Sequence, residues 1–341
     1  MTGPDVDMVR TPLRYLDGAQ VAELCAKIDP LEVVTEAFLA VRDGRSAVAP
    51  EAALRWTAPD GTAARSLVLP AHHDGAYGCK IINACVGNPD RGLPRAGGLI
   101  LLYDRETAAP VCIMEGARIS ALRTAAVSVA ALRAVRPLVS VRRVAFLGCG
   151  RQARTHLELL RANGAVDSVL AYDQDPARAR EFADSAPGVE VEVVTEPRAA
   201  VSDAPVTVAA TTTTTSYVPL AWLPAGAVFL NVSLDDAAED VLLGAEHLVI
   251  DDWHLVSEDR SRLLGRLIGA GRATAPGVHK LGARQIDTDL ATLLSGGYSR
   301  PFAAPDRTVI NPFGMGVHDV ALATRVYRTA EESGAGTLLP R

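Results

Sequence analysis

The chain has 341 residues, of which 48% are hydrophobic and 22% charged, as expected for a globular protein of about two domains. Its formal net charge of −6 gives no support to nucleic-acid or anionic-membrane binding, because both call for clustered positive charge. No apolar run is long enough to cross a bilayer, so membrane insertion is not expected.

The cysteines and histidines show no metal-ligand spacing. Five cysteines are scattered without a CxxC pair, so the sequence predicts neither a disulfide framework nor a zinc site. The N-terminal residues lack the basic-then-apolar pattern of a signal peptide. We therefore expect a reduced, metal-free, cytoplasmic protein.

The first third of the chain reads as helices followed by strands. Residues 18–44 have apolar positions at helical spacing, with Asp29-Pro30 marking a second helix start. Five strand-like runs follow without intervening helices, which predicts an antiparallel sheet: "EAALRW", "ARSLVLPA", "YGCKIINACV", "GGLILLYD" and "PVCIME". An Ala-rich helix over residues 120–135 leads out of this region.

From Arg143 the pattern changes to alternating strands and helices, which predicts a parallel, doubly wound sheet. The strand candidates are "VAFL", "SVLAYD", "VEVEVV", "VTVAAT", "AVFLNVS", "HLVIDD" and "TVINPF". Five consecutive threonines, Thr211 to Thr215, follow one strand as a loop. The amphipathic helix near the C-terminus, "GVHDVALATRVYRTAEES", is long enough to return to the first domain.

A glycine turn follows the first strand of this alternating region. Gly148, Gly150 and Ala153 fit the G-x-G-x-x-A pattern of a dinucleotide-binding turn, where small residues let the backbone approach a pyrophosphate. Asp173 ends the next strand, where a carboxylate would bond both ribose hydroxyls, although a solvated turn residue is the alternative. Because no Arg or Lys directly follows Asp173, the pattern favours NAD over NADP.

The predicted cofactor set also includes residues of the first helical turn and of two later strand ends. The helix N-terminus offers unpaired N–H groups to phosphate, and the later residues lie at the carboxyl edge where doubly wound sheets bind ligands. The additional residues are Arg151, Gln152, Thr211, Thr212, Val232 and Ser233.

Four segments together resemble the ornithine cyclodeaminase/mu-crystallin family: "GCGRQARTHL", "ISALRTAAVS", "CKIINACVGNPDRGLP" and "LILLYDRETAAPVCIMEG". The resemblance implies a homodimer with two domains. Residues 1–125 plus 317–341 would form an α+β substrate and dimerisation domain with an antiparallel sheet. Residues 126–316 would form the NAD-binding Rossmann domain.

The resemblance also implies substrate-binding residues. Lys80 and Arg123 fall on the family's substrate-carboxylate positions, and Arg55 lies near a third. Arg offers a carboxylate two parallel donors, and Lys within an apolar strand needs an anion. An edge-strand Lys80 and a surface Arg123 are the structural alternatives. Phe313, where the family often has Asp-Ser-x-Gly, joins the substrate-binding set.

The sequence departs from the cyclodeaminase pattern at the groups that handle an amine. Asp235 occupies the family's Asp position in one register and Asp236 in another, but the following Pro-Gly-Lys is missing and Glu239 stands where the lysine is expected. Leu67 replaces a glutamate that helps hold the substrate's amino group. The carboxylate-binding and NAD-binding positions are retained.

These departures weaken the case for a cyclodeaminase. The segments "NVSLDD" with "NPFGMGVHDVA", and "GLPRAGG" with "EGARISALRTAA", resemble the N-(2-amino-2-carboxyethyl)-L-glutamate dehydrogenase branch of the family. That branch implies NAD-dependent oxidation at an amino-acid Cα, then imine hydrolysis to 2-oxoglutarate and 2,3-diaminopropionate, a precursor of siderophores and peptide antibiotics. Lys80 or Asp235 would serve as the base, with Asp236 a further candidate. The alternatives are a cyclodeaminase, a ketimine reductase or amino-acid dehydrogenase, an NADP(H)-binding protein of mu-crystallin type, and a Rossmann protein with a decayed site.

Overall fold

A computed structural model describes residues 12–340 of the chain. The strands are β1 Leu13–Leu16, β2 Ser46–Val48, β3 Ala52–Thr57, β4 Ala63–His73, β5 Ala76–Cys85, β6 Ala96–Tyr103, β7 Pro110–Glu115, β8 Arg143–Leu147, β9 Ser168–Tyr172, β10 Glu190–Val193, β11 Val206–Ala209, β12 Val228–Asn231, β13 His247–Ile250, β14 Ala273–Thr274, β15 Arg284–Gln285, β16 Thr288–Asp289, β17 Thr308–Asn311 and β18 Thr337–Leu339. The helices are α1 Gly18–Cys25, α2 Pro30–Arg42, α3 Ala117–Val135, α4 Arg151–Asn163, α5 Pro176–Asp184, α6 Pro197–Ser202, α7 Glu239–Gly244, α8 Trp253–Glu258, α9 Leu263–Gly269, α10 Leu290–Leu294 and α11 Gly316–Ser333.

The described residues divide into two compact units. Unit 1 contains residues 12–33, 43–120 and 315–340, and unit 2 contains residues 34–42 and 121–314. The sequence predicts that the boundaries between the two domains lie at residues 125/126 and 316/317. Helix α3 therefore contributes its first residues to unit 1 and the rest to unit 2.

Unit 1 is built on an eight-stranded sheet in the order β18-β1-β7-β6-β5-β4-β2, with β3 pairing with β4. Strands β4 to β7 form an antiparallel meander, as predicted from their consecutive apolar runs. Helix α11 packs on β4, β5 and β6 of this sheet.

The sheet of unit 1 also contains one parallel pairing, made by β1, which lies outside the five predicted antiparallel strands. Strand β1 pairs with β7 in parallel, and β18 pairs with β1 in antiparallel. A hairpin fixes two neighbouring strands as antiparallel, but about a hundred residues separate β1 from β7, so the connection imposes no such direction.

Unit 2 contains the parallel, doubly wound sheet that the alternating sequence predicted. Its strand order is β10-β9-β8-β11-β12-β17-β13-β16, and every pairing is parallel. The strand order reverses direction between β8 and β11, and such a switch point opens a crevice at the carboxyl ends of the strands. The glycine turn follows β8 and the five threonines follow β11, so both sequence features lie at this crevice.

Candidate active site

The glycine turn between β8 and α4 depends on glycine for two different reasons. Gly148 has a φ of +85°, and a Cβ there would lie 2.7 Å from the carbonyl oxygen of Ala210. A side chain is therefore excluded by both conformation and space. Gly150 is the N-cap of α4, has no side-chain cap, and faces open space that a Cβ would enter. The backbone N–H groups of α4 are thus left available to an anion.

Asp173 is held at the mouth of this turn. Its carboxylate accepts hydrogen bonds from the backbone N–H of Cys149 at 2.8 Å and of Asp175 at 2.9 Å. Because Cys149 belongs to the glycine turn, the end of β9 and the start of α4 are fixed together. Asp173 is half-buried, so part of the carboxylate still faces the crevice.

A pocket of about 840 Å³ occupies the switch point. Five predicted cofactor residues line it: Gly148, Gly150, Asp173, Thr211 and Thr212. Five others do not, because they lie in the first turn of α4 or directly after β12: Arg151, Gln152, Ala153, Val232 and Ser233. Sequence reasoning missed several lining residues, namely Tyr172, Gln174, Asp175, Arg178 and Tyr217. A dinucleotide is an elongated molecule, so a site for it is expected to extend past Asp173 into residues 174–178, which lead into α5.

An orphaned oxygen also belongs to the first turn of α4. Gln152 Oε1 is buried, and no described residue donates a hydrogen bond to it. A buried carbonyl of this kind normally has a donor. Because Gln152 does not line the pocket, the fit of this turn to a polar cofactor depends on the open face of Gly150.

Asp236 organises the loops on one side of the pocket. Its carboxylate accepts hydrogen bonds from Thr211 Oγ1 at 2.7 Å and from Ser233 Oγ. Its backbone carbonyl accepts from the N–H groups of Tyr217 and Val218, both at 3.0 Å. Burial raises the pKa of Asp236, and the hydroxyl hydrogen bonds oppose that rise. Asp236 therefore joins the loop after β11 to the loop after β12.

Asp235 forms an ion pair with Arg262. The carboxylate lies 2.6 Å from Arg262 Nη1 and also accepts from the backbone N–H of Leu263 at 3.1 Å, at the start of α9. The preceding Leu234 has a φ of +73°, a conformation that costs a leucine free energy and turns the chain sharply after β12. Glu239, where the family pattern expects lysine, forms an ion pair with Arg272.

Lys80 has a buried partner that sequence reasoning missed. Its Nζ lies 2.6 Å from Asp319 Oδ2, and the side chains are 3% and 0% exposed. Lys80 is on β5 and Asp319 is on α11, so the edge-strand alternative for Lys80 is wrong. The signal was available in the sequence, because Asp319 interrupts the apolar face of the last helix and a buried carboxylate needs a counter-charge.

The sheet register places other candidates of unit 1 beside Lys80. Leu67 pairs with Ile82, and Leu69 pairs with Lys80, so Leu67 shares the face that carries Lys80. Arg55 on β3 lies opposite Arg65 and is on this same face, but it is exposed. The face toward α11 thus carries cationic groups together with the apolar Leu67.

The remaining substrate candidates lie in unit 2. Arg123 is 8% exposed on α3, so it is not a surface charge of that helix. Phe313 follows β17 and is partly buried against the hydrophobic core of unit 2. No metal-binding group of three or more His, Cys, Asp or Glu side chains occurs within residues 12–340. Within the same residues, every helix is too short or too polar to cross a bilayer.

Comparison with known proteins decides the family. The sequence profile of the ornithine cyclodeaminase/mu-crystallin family matches residues 16–334. The chain belongs to this family. The resemblance drawn from the four sequence segments is confirmed.

Three relatives illustrate the range of similarity. N-((2S)-2-amino-2-carboxyethyl)-L-glutamate dehydrogenase of Staphylococcus aureus is 28% identical over 284 residues, covering 81% of this chain and 82% of that protein. The crystal structure of CmnK superposes with a TM-score of 0.90 at 36% identity, over 97% of this chain and 99% of CmnK. An archaeal alanine dehydrogenase dimer with bound NAD shares the fold, with a TM-score of 0.82 at 23% identity over 96% and 99% of the two chains.

Proposed function

We propose that the chain oxidises N-(2-amino-2-carboxyethyl)-L-glutamate with NAD⁺ and water, giving 2,3-diaminopropionate, 2-oxoglutarate, NADH and a proton. More broadly, it is an NAD-dependent oxidoreductase that acts on an amino-acid C–N bond. The observation that carries the finer proposal is the sheet face of Lys80, where this buried cation shares a face with the apolar Leu67. The family resemblance implies a carboxylate-binding role for Lys80 and an amine-holding glutamate at the position of Leu67. The similarity to the S. aureus dehydrogenase supports the same substrate.

The switch-point pocket fits NAD. Gly150 and the uncapped N-terminus of α4 suit the pyrophosphate, and Asp173 suits the ribose hydroxyls. Arg178 also lines the pocket, but Asp175 lies 3.6 Å from its guanidinium and offsets its charge. This acidic end of the pocket favours NAD over NADP. When bound, NAD⁺ supplies the hydride acceptor for the amino-acid Cα.

We assign carboxylate binding to Arg123 and Lys80, with Arg55 and Phe313 as further substrate contacts. Asp319 holds the Lys80 ammonium in place, so that Nζ offers hydrogen-bond donors to an anion. We also assign proton transfer during imine hydrolysis to Lys80 Nζ, with Asp319 as its partner. Asp235 is the weaker candidate because Arg262 and the Leu263 amide already engage its carboxylate.

The test is a comparison of three substrates. Purified protein is incubated with NAD⁺ and, separately, the aminocarboxyethyl-glutamate, L-ornithine and L-alanine, while NADH absorbance and ammonia are followed. We expect NADH with the first substrate, together with equal amounts of 2-oxoglutarate and 2,3-diaminopropionate. Ammonia from ornithine without net NADH would instead identify a cyclodeaminase, and NADH with alanine alone would identify an alanine dehydrogenase.

We further propose that two copies associate through the open face of the unit 1 sheet. The register puts Leu54, Trp56, Tyr77 and Leu99 on the face opposite Lys80 and α11, and all four are exposed. An apolar sheet face of this kind is typical of an interface. All five cysteines are free thiols, which supports a reducing compartment such as the cytoplasm.

A further inference from the structure

Asp251 is a buried carboxylate that the proposed reaction does not use. It directly follows β13, is 3% exposed, and lies at the carboxyl edge of the unit 2 sheet. Its Oδ2 accepts a hydrogen bond from the backbone N–H of Gly314 at 2.5 Å, and its Oδ1 accepts from the N–H of Asp252 at 3.0 Å. Burying a carboxylate is costly, so its retention beside backbone donors calls for a reason.

The segment that Asp251 holds lies directly against Arg123. Gly314 follows Phe313 and has a φ of +98°, a conformation that favours glycine. A Cβ at Gly314 would lie 2.7 Å from Arg123 Nη1 and 3.4 Å from Nη2. The bare backbone at Gly314 therefore forms part of the surface on which the Arg123 guanidinium rests.

The charge state of Asp251 suits a carboxylate that accepts several backbone hydrogen bonds. Burial raises its pKa and hydrogen bonds from the backbone N–H groups of Gly314, Phe313 and Asp252 lower it, and the balance leaves the pKa at about 6. At neutral pH the ionised form therefore predominates, and an ionised carboxylate accepts from all of these groups at once. Strands β13 and β17 are neighbours in the sheet, with Ile250 beside Asn311. Asp251 and Gly314, which follow these strands, are therefore close in space.

We propose that Asp251 is a positioning residue: by holding the Gly314 backbone, it sets the orientation of the Arg123 guanidinium that receives the substrate carboxylate. This inference rests on the proposed function, because it takes Arg123 as a substrate-binding residue. Substrate affinity then depends on three residues, Asp251, Gly314 and Arg123, of which only Arg123 contacts the substrate.

The variants Asp251→Asn and Gly314→Ala test this arrangement from its two ends. Asn keeps one acceptor oxygen but replaces the other by an NH₂ donor, so it cannot accept from both Gly314 and Asp252, and Ala places a methyl group against Nη1. We expect each to raise KM for the amino-acid substrate about tenfold or more, with little change in KM for NAD⁺. Asp251→Glu, which keeps the carboxylate, is expected to recover part of the affinity.

Two matched controls separate positioning from general destabilisation. Gly296→Ala also forces a non-glycine residue into positive φ (+74°), but no atom lies within 4 Å of its Cβ. Asp289→Asn alters another carboxylate that accepts from a backbone N–H, that of Thr292 at 2.7 Å. Both controls are expected to leave KM for both substrates unchanged. Equal increases in KM for the amino acid across all four variants would refute the proposal.

A double-variant cycle gives the decisive readout. If Asp251 acts through Arg123, adding Asp251→Asn to Arg123→Gln produces no further rise in KM, whereas independent effects would multiply. Should the wild-type protein fail to turn over the aminocarboxyethyl-glutamate, the cycle is run on 2-oxoglutarate binding to the NADH complex, measured by NADH fluorescence. Binding lost in Arg123→Gln and weakened by Asp251→Asn supports the positioning role even though the proposed reaction has failed. Absence of Arg123-dependent binding overturns both.

Discussion

At the scale of single residues, the buried ion pair Lys80–Asp319 of unit 1 carries a large desolvation cost. A buried ion pair loses hydration on both sides, and its Coulomb attraction recovers that loss only while both partners remain. The cost is consistent with a functional role, since an apolar pair of similar volume would serve the fold at least as well. The pair therefore links stability to the cation that we assign to substrate binding.

We expect Lys80→Met to lower the free energy of unfolding by about 3 kcal/mol, because it removes the ammonium that pairs with the buried Asp319 carboxylate. The double variant Lys80→Met, Asp319→Leu is expected to regain most of this stability while remaining inactive. Urea denaturation of each variant measures the effect. Lys27→Met is the surface control, because Lys27 and Glu23 form an exposed pair at 3.7 Å worth well under 1 kcal/mol. A double variant less stable than Lys80→Met would contradict the argument.

At the scale of elements, the two glycines of the turn from β8 to α4 have different roles: Gly148 is needed for folding, and Gly150 is expected to be needed for cofactor binding. Gly148→Ala places a Cβ 2.7 Å from the Ala210 oxygen and forces alanine to a φ of +85°. We expect it to lower the melting temperature by several degrees, through about 1–3 kcal/mol of strain and overlap. Calorimetry of the variant and the wild type gives the comparison.

Gly150→Ala is expected to behave differently, because its Cβ meets no atom within 4 Å and φ is −82°. The methyl group projects into the space that we assign to the pyrophosphate. The melting temperature should therefore stay within a degree or two, while KM for NAD⁺ rises about tenfold or more. Steady-state kinetics at saturating amino acid provides the measurement. An unchanged KM for NAD⁺ would mean that the cofactor does not approach this turn.

The packing of α3 against α4 includes a buried histidine whose charge state affects stability. His156 hydrogen-bonds Ser128 Oγ through Nε2 and the Gln152 carbonyl through Nδ1, and burial lowers its pKa from 6.5 to about 4. Below pH 6.5 the unfolded chain binds a proton that the folded chain does not. Wild-type stability should therefore fall between pH 6.5 and 4, by up to about 3 kcal/mol from this residue.

His156→Gln isolates this contribution, because glutamine does not titrate. The difference in unfolding free energy between wild type and variant should shrink as the pH is lowered from 7 to 4, since only the wild type loses the His156 contribution. Urea titrations at several pH values measure it. A difference that stays constant across this range would show that His156 does not resist protonation.

At the scale of the whole molecule, the proposed dimer makes a mass prediction. Light scattering on the eluting protein should give twice the chain mass of 35.9 kDa. Replacing Leu54 and Trp56 by lysine should yield monomers, because charges would be buried in the interface. Val139→Lys, which alters an equally exposed apolar residue of unit 2, is the control. Dimers that survive the double substitution would place the interface elsewhere.

Much of this architecture follows from local sequence patterns. The change from consecutive strands to alternating strands and helices at Arg143 predicted both sheets, and the G-x-G-x-x-A pattern located the glycine turn at the switch point. The parallel pairing of β1 with β7 escaped prediction because it joins segments far apart in the chain. Short strands such as β1 and β18 also carry little periodic signal.

The candidate site was predicted as single residues and not as pairs. Lys80 and Arg123 were predicted by resemblance, but the pairings Lys80–Asp319 and Asp251–Gly314 were not. Asp319 interrupts the apolar face of α11 and so marks a buried charge, but tertiary packing selects its partner, and no local spacing encodes that choice. Asp251 is the first of the two aspartates that close the segment "HLVIDD", and only the side-by-side placement of β13 and β17 gives it Gly314 as a partner. Asp235 and Asp236, adjacent in sequence, likewise acquire different partners only in the fold.

The pairing of β18 with β1 sets Leu13 directly opposite Leu339. Neighbouring strands lie about 5 Å apart, so a few glycines could bridge these positions. A circular permutant joined there and reopened at the exposed Asp60–Gly61 hairpin tip should keep every strand pairing and retain activity.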